Sequence, residues 1–456
     1  MINIIVYSSR KTNRLTFVLD WLIKEQLRLD YEIVQDEREV QGLPFFISYG
    51  KLFSNALSIP DAGLLWEKGV REHDIKTGSW NQIPTLYDAS SSGHSLPFDL
   101  FSALFFLLSR YEEHYSYTPD QHGRYPATAS VLYKNKWLQR PLADEWLQGI
   151  RNMMQEQFRI STPPATFSFL PTYDIDIAWS YKNKGFVRIA GAQARDVWAR
   201  NKAVYKERLA VVLNNKPDPY DSYDWMRQLH TNTGNRPIYF ILTSLKTTDR
   251  DKNISPSHPK MQKLVQDISQ YAEIGLHPSY YSDNDDDLPR EKETLEKTVH
   301  KYISISRQHY IKMKLPDTYL RLLRSGISQD YSMGYGTHFG FRAGTGQSFF
   351  WYSLNNEFTT PLRIHPFCFM DTTAMFEEKL SLSESFDRLR AMTKILQRCN
   401  SRLTTVFHNF SLGSAPEWLW WKGAYKEFLD QSIYGKDKKG RDFPADAPAE
   451  EKPAEQ

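Results

Sequence analysis

From residue 164 onward the chain repeats one pattern, a short apolar run followed by a stretch with helical periodicity. The apolar runs are "TFSFLPTYDIDIAW", "RPIYFILTS", "YAEIGLHPSYY", "SISRQHYIKM", "SQDYSMGY", "LRIHPF" and "RLTTVFHNF". Between them stand helix-like stretches such as "DSYDWMRQLHTNTG", "SHPKMQKLVQDISQYAE", "PREKETLEKTVHKY" and "PDTYLRLLRSG". Alternation of this kind predicts an α/β fold built on a parallel sheet or a (β/α) barrel. Such folds place reactive side chains at the C-terminal ends of the strands.

The first third of the chain reads differently. Residues 2–7 form an apolar strand pattern, Leu15, Val18, Leu19 and Leu22 recur at helical spacing, and "YEIVQ" and "FFISYG" are further short strands. "LPFDLFSALFFLLSRYEEHY" and "ADEWLQGIRNMMQEQF" read as helices, and "STPPAT" (161–166) as a linker. The expected organisation is a smaller α/β domain of unknown role over 1–163, a barrel over 164–433 and a disordered polar tail over 434–456. The cluster Arg110, Glu112, Glu113 and His114 is a possible site; the plainer expectation is the solvated end of a buried helix.

Bulk properties narrow the function class. A chain of 456 residues with 41% hydrophobic and 24% charged residues suits a soluble globular protein. The net charge of +3 is spread without a basic stripe, so a nucleic-acid partner is not expected. Cys368 and Cys399 are the only cysteines, too few for a disulfide framework or a cysteine zinc site. "MINIIVYSSRK" lacks the basic start of a signal peptide, and "LFSALFFLL" is too short to span a bilayer. A cytoplasmic protein without a membrane span is expected. Aromatics at 14% suit a core, or grooves that pack against sugar rings.

Within "TYDIDIAW", Asp174 and Asp176 interrupt a buried strand. Residues i and i+2 share one face of a strand, so the two carboxylates stand side by side. Like charges that close repel, and burial aggravates this, unless a cation or a proton relieves them. A divalent ion would do so, and imidazoles are its natural co-ligands. His277, His309, His365 and His408 lie at or near the ends of expected strands. A lone histidine is ordinarily a satisfied polar residue; four at strand ends beside a paired aspartate point to a metal.

These stretches resemble the NodB-type polysaccharide deacetylases, carbohydrate esterase family four. "SRQHY", "DYSMGY" and "FRAGT" are similar to landmarks of a bacterial subgroup with an uncharacterised N-terminal domain. The resemblance implies a distorted (β/α) barrel and a metal-dependent hydrolase that removes acetyl groups from sugars. It covers roughly residues 165–433. By it, Asp174 matches the general base, and Asp176, displaced by one position from the family's Asp-Asp pair, matches a metal ligand. The family's second motif has two histidines four apart; here His277 is present but Tyr281 stands at the second position. His309 is then the candidate third ligand, with a structural role as its alternative. Arg342 in "FRAGTG" matches the arginine that orients the base, although Gly344 replaces the motif's proline. "IHPFCFMD" is the loose counterpart of the motif lining the acetyl pocket, and His408 in "TVFHN" matches the general acid.

The reading is a hydrolase acting on a non-peptide carbon–nitrogen bond. It would carry a divalent ion, zinc first and nickel or cobalt as alternatives, and remove an acetyl group from an N-acetylated sugar or glycan precursor. Tyr281 keeps open a catalytically inactive scaffold that binds a glycan or a protein partner; a third reading is another metal amidohydrolase on the same barrel. "GYGTHFGFRAGTG" misses both the dinucleotide fingerprint and the P-loop, and reads as a flexible active-site loop. "SDNDDD" (282–287) fails as a calcium loop, because Leu288 stands where glycine is needed and Thr294 where glutamate is needed.

Overall fold

A computed structural model describes residues 3–183, 202–213 and 216–435. The expected disordered tail lies, from residue 436 on, outside the described residues.

The barrel unit carries nine strands: β7 (Ser168–Ile175), β8 (Ile238–Leu242), β9 (Glu273–His277), β10 (Ile305–Ser306), β11 (Gln329–Met333), β12 (Phe349–Ser353), β13 (Phe358–Pro366), β14 (Phe369–Met370) and β15 (Arg402–His408). Their order is β12-β13-β11-β10-β9-β8-β7-β15-β14, parallel throughout except for β12 against β13. Only Phe367 and Cys368 separate β13, next to one end of this order, from β14 at the other. The two ends must therefore meet, and the sheet curls into a ring in which β13 and β14 act as one broken strand. Successive strands sit side by side around the ring, the arrangement expected of (β/α) units. Some expected strands are shorter: "SISRQHYIKM" pairs only at Ile305 and Ser306, and β7 stops at Ile175, one residue before Asp176.

The N-terminal unit holds a parallel sheet of β1 (Asn3–Ser8), β2 (Asp30–Val34), β3 (Phe46–Tyr49) and β4 (Ala56–Ile59), ordered β2-β1-β3-β4, and a hairpin of β5 (Thr77–Trp80) and β6 (Ile83–Leu86). All nine residues of the helix Leu100–Leu108 are buried. Asp99 caps it, accepting from Ser102 N at 2.9 Å, and also accepts from Tyr49 Oη at 2.9 Å and Ala62 N at 2.8 Å. Among the described residues no helix is long and apolar enough to cross a membrane.

The two units share one hydrophobic core. Phe17 and Phe105 both pack on Tyr352, with ring centroids 5.2 and 5.1 Å apart. Asp144 accepts from Gly346 N at 2.8 Å and Ser401 Oγ at 2.6 Å. "GYGTHFGFRAGTG" is part of this seam. Gly340, at φ +130°, lies so near Leu138 that a Cβ would stand 2.3 Å from the Leu138 carbonyl oxygen. These glycines let backbone approach backbone between the units, so the stretch is packed into the seam, and of the expected active-site loop Gly336 reaches the cleft.

The Arg110–Glu113 cluster is also different from its expected form. It is buried, not solvated: Arg110, Glu112 and Glu113 are at most 4% exposed. Glu113 accepts from Arg110 Nε at 2.8 Å and, as a fork, from Arg342 Nε and Nη2 at 2.8 and 2.7 Å. Arg342 is thereby committed to an ion triad joining the two units. Burial alone would raise the Glu113 carboxyl; Arg342 and Arg110 outweigh it and pull it down to about 2. A depressed carboxylate stabilises the fold above its ordinary pKa and loses that contribution as pH falls toward the folded value. Glu113→Gln should cost about 3–5 kcal/mol at neutral pH by leaving the buried Arg342 guanidinium without a carboxylate and Arg110 with Glu112 alone. Denaturant unfolding of both proteins across pH should show the difference shrinking as pH falls below about 4.5; a difference independent of pH would contradict it.

Candidate functional site

The register of the ring brings the reactive residues to one level. His408 ends β15 opposite Asp174 on β7, and His277 ends β9 opposite Leu242 on β8. Beyond β7, Asn253 fixes the next turn, donating from Nδ2 to Ile175 O at 3.2 Å and accepting at Oδ1 from Ala178 N at 3.0 Å. Asp176 therefore enters a cleft of ≈ 300 Å³ that Asp174, His277, His309 and His408 also line.

Three imidazoles converge on the Asp176 carboxylate. His277 Nε2 stands 3.1 Å from Oδ1; His309 Nε2 and His408 Nε2 each stand 3.5 Å from Oδ2. In each ring the other nitrogen is engaged elsewhere. His277 Nδ1 meets Arg307 O at 2.5 Å, His309 Nδ1 meets Asp251 Oδ1 at 3.1 Å, and His408 Nδ1 meets Asp371 Oδ1 at 2.6 Å. An acceptor on Nδ1 holds a proton there and turns Nε2 toward the cleft, an arrangement also found around metal sites. Asp371 is itself set by His408 N at 2.7 Å, and Asp251 by Tyr280 N at 2.9 Å.

Donor atoms of Asp176, His277 and His309 lie within 4.8 Å of one another, a spacing one divalent ion can bridge. The residues fit such an ion by a second observation: Asp176 Oδ1 is buried and takes no aligned hydrogen bond. Burial would raise the Asp176 carboxyl, but the charge of His309 and the close imidazoles of His277, His309 and His408 hold it well below the carboxylate range. His309 shows the reverse. Burial would discharge it, yet Asp176 and then Asp251 push it up to about 9. Positive charge beside Asp176 is what the site demands, and a divalent ion would supply it in place of a proton.

Asp174 is held separately. Arg307 Nη1 donates to its Oδ1 at 2.8 Å and to Thr172 Oγ1 at 2.8 Å, while Arg307 Nε donates to Tyr331 O at 3.0 Å. The guanidinium also lies over the Phe240 ring, 4.3 Å from its centroid. Asp174 Oδ2 remains directed at the cleft, 3.8 Å from His277 Nε2.

Of the residues expected at the site, Asp174, Asp176, His277, His309 and His408 are brought together. Arg342 is not; its guanidinium is spent on Glu113 and Gly334 O, and Arg307 is the arginine on Asp174. His365 also lies apart, stacked on Tyr331 at 4.2 Å with Nε2 on Gln329 Oε1 at 2.9 Å. Tyr281 is 48% exposed and donates to Asp249, so it adds no donor to the cluster. The sequence reading missed Arg307, Asp251 and Asp371. Two of them carried a signal: Arg307 sits in "SRQHY" beside His309, and Asp371 ends "FCFMD".

Residues 4–159 match a family of unknown function, DUF7033. Among curated proteins, none matches the sequence. The chain is similar in structure to a candidate polysaccharide deacetylase from Mycobacterium smegmatis, at 13% identity and TM-score 0.38 over 60% of this chain and 86% of that one. It is also similar to the polysaccharide deacetylase Bc1974 from Bacillus cereus, at 8% identity and TM-score 0.28 over 62% and 93%. A third similar structure is PuuE allantoinase, at 10% identity and TM-score 0.35 over 59% and 87%. At scores this low, the chemistry of the cleft rests on its own residues.

The geometry makes a direct statement about metal. Wild-type protein loaded with zinc and desalted should retain about one equivalent, read by elemental analysis, and Asp176→Asn and His277→Ala should each lower the affinity at least tenfold, the scale of losing a ligand or its support. Tyr281→Phe should bind like wild type. Equal metal content in all four proteins would remove the centre.

Proposed function

We propose that the protein is a metal-dependent hydrolase that removes an acetyl group from an N-acetylated sugar or glycan precursor. One observation carries the reading: three imidazoles, each oriented by its own acceptor, face one half-buried carboxylate at the C-terminal mouth of a barrel, with a second carboxylate beside it. Tyr281, which motivates a metal-free scaffold, is no obstacle, because His309 supplies a third donor. The acetyl group and the sugar come from the motif resemblance alone.

Asp176, His277 and His309 would hold the ion. A bound divalent ion supplies Lewis acidity to an acyl carbonyl and to water. Asp174 accepts the proton of the attacking water. Arg307 occupies its Oδ1 and fixes the carboxylate plane, leaving Oδ2 for that proton. His408 holds a proton for the leaving amine. Burial would discharge this imidazole, but Asp371 and Asp176 outweigh burial and keep it protonated well above the ordinary histidine range. Asp371 on Nδ1 also turns Nε2 toward the cleft, where a leaving group can meet it. Met370, Phe376 and Phe410 add an apolar flank suited to a methyl group.

The test is acetate release from a panel of acetylated amino sugars and nucleotide sugars by zinc-, nickel- or cobalt-loaded protein. On a substrate found this way, Asp174→Asn should keep its fold and metal content and lose roughly 10²–10⁴ in kcat. Turnover retained by Asp174→Asn would remove the base assignment, and no acetate from any substrate would favour the scaffold reading.

A further inference from the structure

The cleft is not built by the barrel alone. A loop of the N-terminal unit sends two side chains into its wall, His122 and Arg124. His122 Nδ1 meets Tyr280 Oη at 3.0 Å, and its ring lies 5.1 Å from that of Tyr310. Arg124 is buried. The loop that carries it is organised by Asp120, which accepts from the backbone N of His122 and of Arg124 at 2.9 and 3.0 Å and from Arg124 Nε at 2.7 Å.

Arg124 then reaches across to the barrel and donates from Nη1 to the carbonyl oxygen of Tyr310. That carbonyl belongs to an unfavourable piece of backbone. Tyr310 and Ile311 follow one another at φ +57° and +52°, in the left-handed region that a β-branched residue almost never adopts. Such a conformation persists only where surrounding contacts over-determine it. The residue just before this turn is His309, whose Nε2 faces Asp176. Its ring is pinned by Asp251 on one side and by Tyr310 itself, 4.6 Å away, on another. The opposite wall of the arginine's channel is Gly336, where a Cβ would stand 2.4 Å from Arg124 Nη1 and 3.6 Å from Tyr310 O. The absence of a side chain at Gly336 is what admits the guanidinium.

We infer that Arg124 of the N-terminal unit is a positioning residue for the metal centre: its hydrogen bond to Tyr310 O holds the left-handed Tyr310–Ile311 turn and thereby sets His309 as a ligand. The N-terminal unit is then a working part of the site. This rests on the reading of Asp176, His277 and His309 as metal ligands.

The experiment is a Co²⁺ titration of the full chain, following affinity and the visible absorption of the bound ion, which reports how many ligands it has and in what geometry. Arg124→Met keeps most of the side-chain volume and removes the donor. It should weaken Co²⁺ binding roughly ten- to a hundredfold, the range for losing a residue that orients a ligand, and change the visible band. Arg38→Met, at an exposed arginine paired with Asp36, should match wild type in both. Gly336→Ala, which crowds the guanidinium from the other side, should act as Arg124→Met does, and decides the matter if Arg124→Met fails to fold. Wild-type affinity and band in a folded Arg124→Met or Gly336→Ala would overturn the inference and leave the metal centre standing. A wild-type protein that binds no Co²⁺ would overturn the metal centre itself, and this role with it.

Discussion

The Asp176 carboxylate is the point about which the rest of the cleft is arranged. A buried anion needs positive charge or hydrogen bonds within reach, or it takes up a proton. Here three imidazole nitrogens from three segments of chain approach it within 3.5 Å. Each ring is held by an acceptor drawn from a different element: the Arg307 carbonyl after β10, Asp251 in the loop after β8, and Asp371 after β14. The convergence depends on the curled parallel sheet, because only a ring of strands can present several C-terminal ends to one small volume.

The same demand for charge compensation explains why two arginines that look equivalent in the sequence are used differently. Arg307 and Arg342 are both fully buried, and each holds a carboxylate. Arg307 sits directly after the two-residue strand β10, next to Asp174, and serves the cleft. Arg342 sits in the glycine-rich seam and serves Glu113 of the N-terminal unit. That seam, with the shared core around Tyr352 and the bonds of Asp144, makes the two units one packed body.

The alternation of strand and helix patterns announced a (β/α) architecture because parallel neighbours need crossovers, and the observed ring has that form. The paired aspartates and the strand-end histidines were legible for a related reason. A carboxylate in an apolar run is costly enough to demand a partner, and strand ends are where partners gather. His365 shows the limit of that reasoning, since it also belongs to a strand but stacks on Tyr331 away from the cleft. Arg342 shows another: arginine beside glycines identifies a buried guanidinium without saying which carboxylate it meets.

The sequence by itself therefore determined the class of fold, the residue types able to hold an ion and the strand ends that carry them, because period and polarity are local properties. Only the tertiary structure decided which arginine faces Asp174, that His365 stays away from the cleft, and that a loop of the N-terminal unit reaches Tyr310. Those outcomes depend on contacts between residues far apart in the chain, such as Arg307 with Asp174 and Arg124 with Tyr310. Such pairings follow from how the ring closes and where the N-terminal unit packs, and no spacing along the chain encodes them.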